Sequence, residues 1–204
     1  FAFDFVLTND NSDLTSAIVV GSTESYGNSS TYNSSAYIFK TQLHGSEIAS
    51  NQNNIIDWEI VIGDGELDEV GRSITKLDNG NFLVLIENEV YINDNSSKYK
   101  LIEIDTNGNI MCESFLDFSG MLNSTSSFNI NSTIQLNDLI SDDDGYAIVL
   151  GHYNLDSFTN LYINNFGLPV SNGGDDLNVI LAKVKCGESI SEINAVEIRG
   201  VQEK

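Results

Sequence analysis

Apolar positions along this chain fall into short clusters, and three of the clusters are alike: Ala17–Gly21 (AIVVG), Phe82–Ile86 (FLVLI) and Ala147–Gly151 (AIVLG). Their last residues stand at 21, 86 and 151, so the step between units is 65 residues both times. A constant step of this size marks an internal repeat of supersecondary units. Ahead of each cluster comes a polar turn and another short apolar segment: FVLTNDNSDLTS from Phe5, SITKLDNGN from Ser73 and DLISDDDGY from Asp138. Asp78, Asn79 and Gly80, and likewise Asp144 and Gly145, tolerate positive φ, so each pair of segments predicts an antiparallel hairpin.

Beyond each hairpin the pattern alternates. AYIFKTQL from Ala36, YKLIEID from Tyr99 and NVILAKVK from Asn178 predict a third strand with unlike faces, followed by glycine turns at Gly45, Gly108 and Gly187. IIDWEIVIG from Ile55, NIMCESFL from Asn109 and INAVEIRG from Ile193 supply a fourth. The expectation is an all-β, β-propeller-like chain of about three four-stranded antiparallel blades, forming part of a larger propeller. As one domain over 1–204, its units cover about 1–65, 66–121 and 134–204, with a linker at about 122–133. A helix candidate over Leu122–Leu136 is too rich in Ser, Thr and Asn and reads as that linker. The third unit is longer between its second and third strands, where Tyr162–Asp176 carries the chain's single proline, Pro169, and several glycines. Loops on a repeated scaffold often hold binding contacts, so this stretch supplies the candidate binding residues Tyr162, Asn164, Asn165, Phe166, Asp175 and Asp176, joined by Tyr153 and Phe158, aromatics that core packing on strands does not explain.

Charge narrows the partners. Over 204 residues, 30 acidic against 9 basic side chains give a net charge of −21, which repels phosphate backbones and anionic headgroups and argues against nucleic-acid binding. No apolar run approaches the roughly 18 residues of a membrane helix, so no direct membrane span is expected. Cys112 and Cys186 are 74 residues apart with no close pair, which excludes a zinc knuckle or redox motif, and two free thiols are the expectation. Asn-x-Ser/Thr triplets begin at Asn28, Asn33, Asn95, Asn123 and Asn131, as expected by chance in a chain this rich in Asn and Ser.

Candidate chemistry is sparse. His44 and His152 lie in no metal or nucleophile pattern, and no Gly-x-Ser-x-Gly elbow, phosphate loop or His-Glu-x-x-His is present. Asp57 and Glu59 could be offered as a glycosidase pair, but a chain this acidic always offers such pairs. Calcium would be the cation to consider at Asp142–Asp144 or at Asp175 and Asp176, yet neither has EF-hand spacing. Asp105, Asn107 and Asn109 read as a plain turn. No enzyme activity, metal or cofactor is expected.

The elements LDNGNFLVLI, EIDTNGNIMC and IIDWEIVIG together resemble the propeller repeats of bacterial envelope and secreted proteins, of the type common in Bacteroidota lipoproteins and type IX secretion cargo. The resemblance covers most of the chain and concerns the scaffold. The repeat's usual Trp occurs only as Trp58, with Cys112 and Ala195 in the corresponding places, and Ile86 and Glu87 stand where Gly is usual. Three units fall short of the four to eight blades of closed propellers, which suggests a partial propeller, a missing region or completion by another chain, with missing sequence the expectation. The resemblance implies a non-catalytic binding or scaffolding module of the cell surface, periplasm or extracellular space, with a protein partner such as an outer-membrane transport or secretion complex. A carbohydrate-binding or glycan-processing accessory role is the alternative.

Overall fold

The computed structural model describes residues 1–11, 14–24, 33–43, 56–63, 68–88, 98–118, 134–153, 178–190 and 192–197. They form three four-stranded antiparallel sheets, each an up-and-down meander. The first contains β1 (Ala2–Asn11), β2 (Leu14–Thr23), β3 (Ser35–Leu43) and β4 (Ile56–Ile62). In the second are β5 (Glu69–Lys76), β6 (Phe82–Asn88), β7 (Tyr99–Ile104) and β8 (Ile110–Leu116). The third has β9 (Ile134–Ser141), β10 (Ala147–Tyr153), β11 (Asn178–Val184) and β12 (Glu192–Glu197).

The middle sheet is apolar on both faces, and Phe82 through Ile86 are all buried. Alternation sends Phe82, Val84 and Ile86 toward the first sheet, where they meet Ile18, Val20, Ala36 and Ile38. Leu83 and Leu85 point the other way, onto Ala147, Val149, Ile180 and Ala182 of the third sheet. Neighbouring sheets come closest along their first strands, β5 lying against β1 and β9 against β5.

Tight turns follow the residue types the sequence supplies. Gly80 and Gly108 adopt φ of +88° and +82°, and their amides donate hydrogen bonds to the carbonyls of Leu77 and Asp105, closing the turns. In the β9–β10 turn Asp144 itself takes φ of 62° beside Gly145. Strand-end glycines answer a second constraint. A side chain at Gly21 would strike the backbone of Phe1, and one at Gly151 the backbone of Gln135. Where the second unit has Ile86, the facing residue on β5 is Gly71, so the glycine has moved to the opposite strand.

Two expectations need correction. Cys112 and Cys186 are not free thiols but a disulfide, with Cα atoms 6.0 Å apart, joining β8 to the turn after β11. Stacked repeats bring positions far apart in sequence side by side, which spacing alone does not reveal. Ile134 and Leu136 lie on β9, inside the third unit, and are buried against the middle sheet; linker residues 122–133 lie outside the described residues. The third-sheet counterpart of Trp58 and Cys112 is not Ala195. Trp58 pairs with Lys40, Cys112 with Glu103 and Glu192 with Lys183, so the strand register gives that place to Glu192.

The disulfide closes a loop of 74 residues between two sheets. Replacing both cysteines by serine is expected to lower the unfolding free energy by about 2–4 kcal/mol. Urea titrations of the oxidised chain and the double variant measure it, and coincident curves would contradict a stabilising role.

Candidate functional site

Polar side chains gather where the first strands converge. Ser73 on β5, 1% exposed, places its Oγ 2.8 Å from Oδ2 of Asp4 on β1 and 2.8 Å from Oδ1 of Asp138 on β9. The Ile74 amide donates to Asp4 Oδ2 at 2.9 Å, and the Leu139 amide to Ser73 Oγ at 3.1 Å and to Asp138 Oδ1 at 2.8 Å. Two residues along, the Ser141 amide donates to Thr75 Oγ1 at 3.1 Å.

These three residues are structural equivalents. Asp4 pairs with Val20, Ser73 with Leu85 and Asp138 with Leu150, the same position of the 65-residue repeat. In each sheet a register shift immediately precedes the residue, leaving Phe3, Arg72 and Asn137 as the extra residues of three matching bulges. A bulge bends its strand and re-aims the next side chain, and here it turns that side chain toward the adjoining sheet. The bulge residues are occupied too. The Arg72 guanidinium pairs with Glu87 and lies 5.5 Å from the Phe3 ring centre, and Asn137 Nδ2 is 3.2 Å from His152 Nδ1. The ladder leaves little trace in the sequence: Ser73 and Asp138 stand one 65-residue step apart but differ in residue type, and the longer β1–β2 hairpin sets Asp4 four residues off that step.

Chemically the cluster is a tie rather than a reaction centre. The Ser73 hydroxyl has one proton to donate to its two carboxylate neighbours and is too buried to meet a substrate. Among the described residues no group of three or more His, Cys, Asp or Glu is arranged to hold a metal ion.

A second polar group sits on the rim formed by the turns. Tyr146 lies between Lys183 and Lys185, whose Nζ atoms are 4.9 and 4.8 Å from its ring centre, and donates to Glu188 Oε2 at 2.8 Å. Asp142, considered above for calcium, pairs with Lys183 at 2.7 Å, which with the Asp143 amide holds its carboxyl below the usual range. Hydrogen bonds from Tyr146 and Lys185 do the same for Glu188. Asp105 accepts from the Asn109 side chain and amide and from the Asn107 amide, each at 2.8 Å, and is likewise lowered. Asp57 and Glu59, side by side on β4, accept from Gln42 and from the Tyr37 hydroxyl across the strand pair.

Of the candidate binding residues, Tyr153 ends β10, paired with Ile134 and Asn178. Phe158, Tyr162, Asn164, Asn165, Phe166, Asp175 and Asp176 lie outside the described residues. Their anchoring points are nevertheless informative. The connection from Tyr153 to Asn178 leaves from the rim opposite the tight turns, as do those from β2 to β3 and from β6 to β7.

No protein-family model matches the chain, and no curated protein matches it. Among the described residues no helix is long and apolar enough to cross a membrane.

Two measurements probe these groups. Ser73→Ala removes the acceptor of a buried amide and the shared donor of two carboxylates, so it is expected to cost about 1–3 kcal/mol in a denaturant titration. Cost near zero would mean the ladder is incidental. Asp105, Asp142 and Glu188 are all lowered, so the folded state binds fewer protons than the unfolded chain as pH falls. Their contribution is present above the ordinary carboxylate values of 3.8 and 4.5 and is lost below them. Melting temperature should therefore hold near neutral pH and fall below about pH 5, and less so in the Asp105→Asn, Glu188→Gln variant.

Proposed function

We propose that this chain is a non-catalytic binding or scaffolding module of a bacterial cell-envelope or extracellular assembly, built as a propeller-type stack and completed by further sheets. The observation that carries this reading is the rim geometry. Three equivalent sheets, tied along their first strands and stapled by a disulfide, send their second-to-third strand connections from one rim, and the longest of these spans 154–177. Variable connections on a rigid repeated support are a common way to present contacts to a partner. A protein partner fits this arrangement, with an outer-membrane transport or secretion complex as the class suggested by the resemblance to envelope propeller repeats. The Cys112–Cys186 disulfide favours an oxidising compartment, such as the periplasm, the cell surface or the extracellular space. The net charge of −21 suits a partner with a basic or uncharged face.

Deletion of residues 162–176 tests the reading. Companions recovered with the intact protein from its native envelope fraction are expected to be lost from the deletion variant, while its circular dichroism and disulfide are retained. Equal recovery with both forms would overturn the assignment of the partner contact to this connection.

A further inference from the structure

A third polar group lies buried between the first and second sheets. On the face of the middle sheet that meets the first, Glu69 of β5, Asn88 of β6 and Lys100 of β7 are 7%, 8% and 8% exposed. Glu69 pairs directly with Asn88, and Lys100 pairs with Ile86, two residues back along β6 on the same face. Lys100 Nζ lies 3.7 Å from Glu69 Oε1. That contact joins β7 to β5, so it crosses β6 between the side chains of Ile86 and Asn88. Diagonal neighbours such as Asn88 and Lys100 stand roughly 7–8 Å apart, within reach of a long side chain. Asn88 Oδ1 is withdrawn from water and meets no hydrogen-bond donor among the described residues.

The surroundings are apolar. Ile86 and Ile102, beside Lys100 on this face, are fully buried, and the Phe115 ring centre is 5.4 Å from Nζ. From the first sheet Gly63 lies so close to the Glu69 carboxylate that a side chain there would strike it. Glu113 also approaches Nζ, at 3.1 Å, but its side chain is 46% exposed against 10% for Glu69, so Glu69 is the sheltered carboxylate of the two. An ion pair alone leaves the Asn88 oxygen unmet, and a buried acceptor without a donor is costly. A protonated Glu69, directly across the strand pair, offers that donor and polarises the Asn88 amide carbon.

We propose that Lys100 and Asn88 are the two ends of an intramolecular isopeptide bond, formed with Glu69 as proton carrier. A lysine amine becomes a nucleophile once an adjacent base takes its proton. Glu69 takes one proton from the Lys100 ammonium, and the amine attacks Cγ of Asn88. The second proton of the attacking nitrogen passes through Glu69 to Nδ2, the Cγ–Nδ2 bond breaks and ammonia leaves. The products are a secondary amide between Nζ and Cγ, one ammonia and a protonated Glu69, with no change of oxidation state. The reaction occurs once per molecule and uses nothing outside the chain. It ties β6 to β7 in the sheet on which both cores depend, and it stands apart from the rim reading of the partner contact.

Mass spectrometry of the folded 204-residue chain, reduced and denatured just before measurement, is the test. The expected mass is that of the sequence less one ammonia. Trypsin is expected to leave the bond after Lys100 uncut and to yield the peptide ending at Lys98 joined to the one carrying Lys100, which separates a cross-link from a cyclised asparagine of equal mass. Asn88→Ala and Lys100→Arg are each expected to show their full sequence mass. Glu69→Gln should do so too, with circular dichroism unchanged, whereas Glu113→Gln should still lose ammonia. A wild-type chain at full sequence mass, with cleavage after Lys100, would overturn the proposal and leave an ordinary ion pair. Ammonia loss that persists in Asn88→Ala would overturn the assignment of the acceptor, and loss abolished by Glu113→Gln but not by Glu69→Gln would overturn that of the proton carrier.

Discussion

Everything in this structure follows from sheets that are apolar on both faces. A strand such as Phe82–Ile86, with every side chain buried, has no side to give to water, so its sheet is stable only between two others. Burial at roughly 25 cal/mol per Å² is the main favourable term, and it is shared between sheets rather than within them. The individual sheet is therefore a poor folding unit. The described sheets are joined into one body by two cores, one on each side of the middle sheet.

Bringing first strands close enough to seal those cores creates a polar problem. Backbone amides and hydroxyls at the convergence are withdrawn from water, and an unmet buried donor is costly. The bulge before Asp4 and Ser73 supplies the answer by turning a short polar side chain across to the next sheet, where it accepts from an amide one residue further along, while Asp138 accepts from the Ser73 hydroxyl. Asp at two positions and Ser at the third allow one hydroxyl to serve both neighbours. Three carboxylates in the same ladder would place like charges against each other in a poorly solvated site.

How much of this the sequence revealed depends on which physical signal each feature leaves. The β class, the 65-residue step and the four strands per unit were legible because alternation and turn residues act locally; Phe82–Ile86 with Asp78–Gly80 needs no knowledge of the rest of the chain. The ladder was not legible, since Ser73 and Asp138 differ in residue type although one step apart, and the longer β1–β2 hairpin sets Asp4 four residues off the step. The counterpart of Trp58 was not legible either, because it is set by pairing with the neighbouring strand, which puts it at Glu192 rather than Ala195. The disulfide was read the wrong way because proximity across a sheet interface has no trace in spacing. The candidate binding stretch was chosen from loop length and Pro169, and of its residues only Tyr153 is described, so its rim is known from the ends of β10 and β11.

The two sheet interfaces solve one structural problem with different chemistry. Trp58 reaches the turn of the middle sheet, covers Gly108 and donates its indole N–H to the Thr106 carbonyl at 3.2 Å. Cys112 occupies the same strand position one repeat later and meets the turn of the third sheet through its bond to Cys186. Cysteine buries far less apolar surface than tryptophan, so the second contact would be the weaker one on burial alone. The covalent link offsets that loss by restricting the unfolded chain across a long loop. It also explains why diverged repeats keep their geometry: what each interface requires is an anchor from the fourth strand onto the next sheet's turn, and either residue provides it.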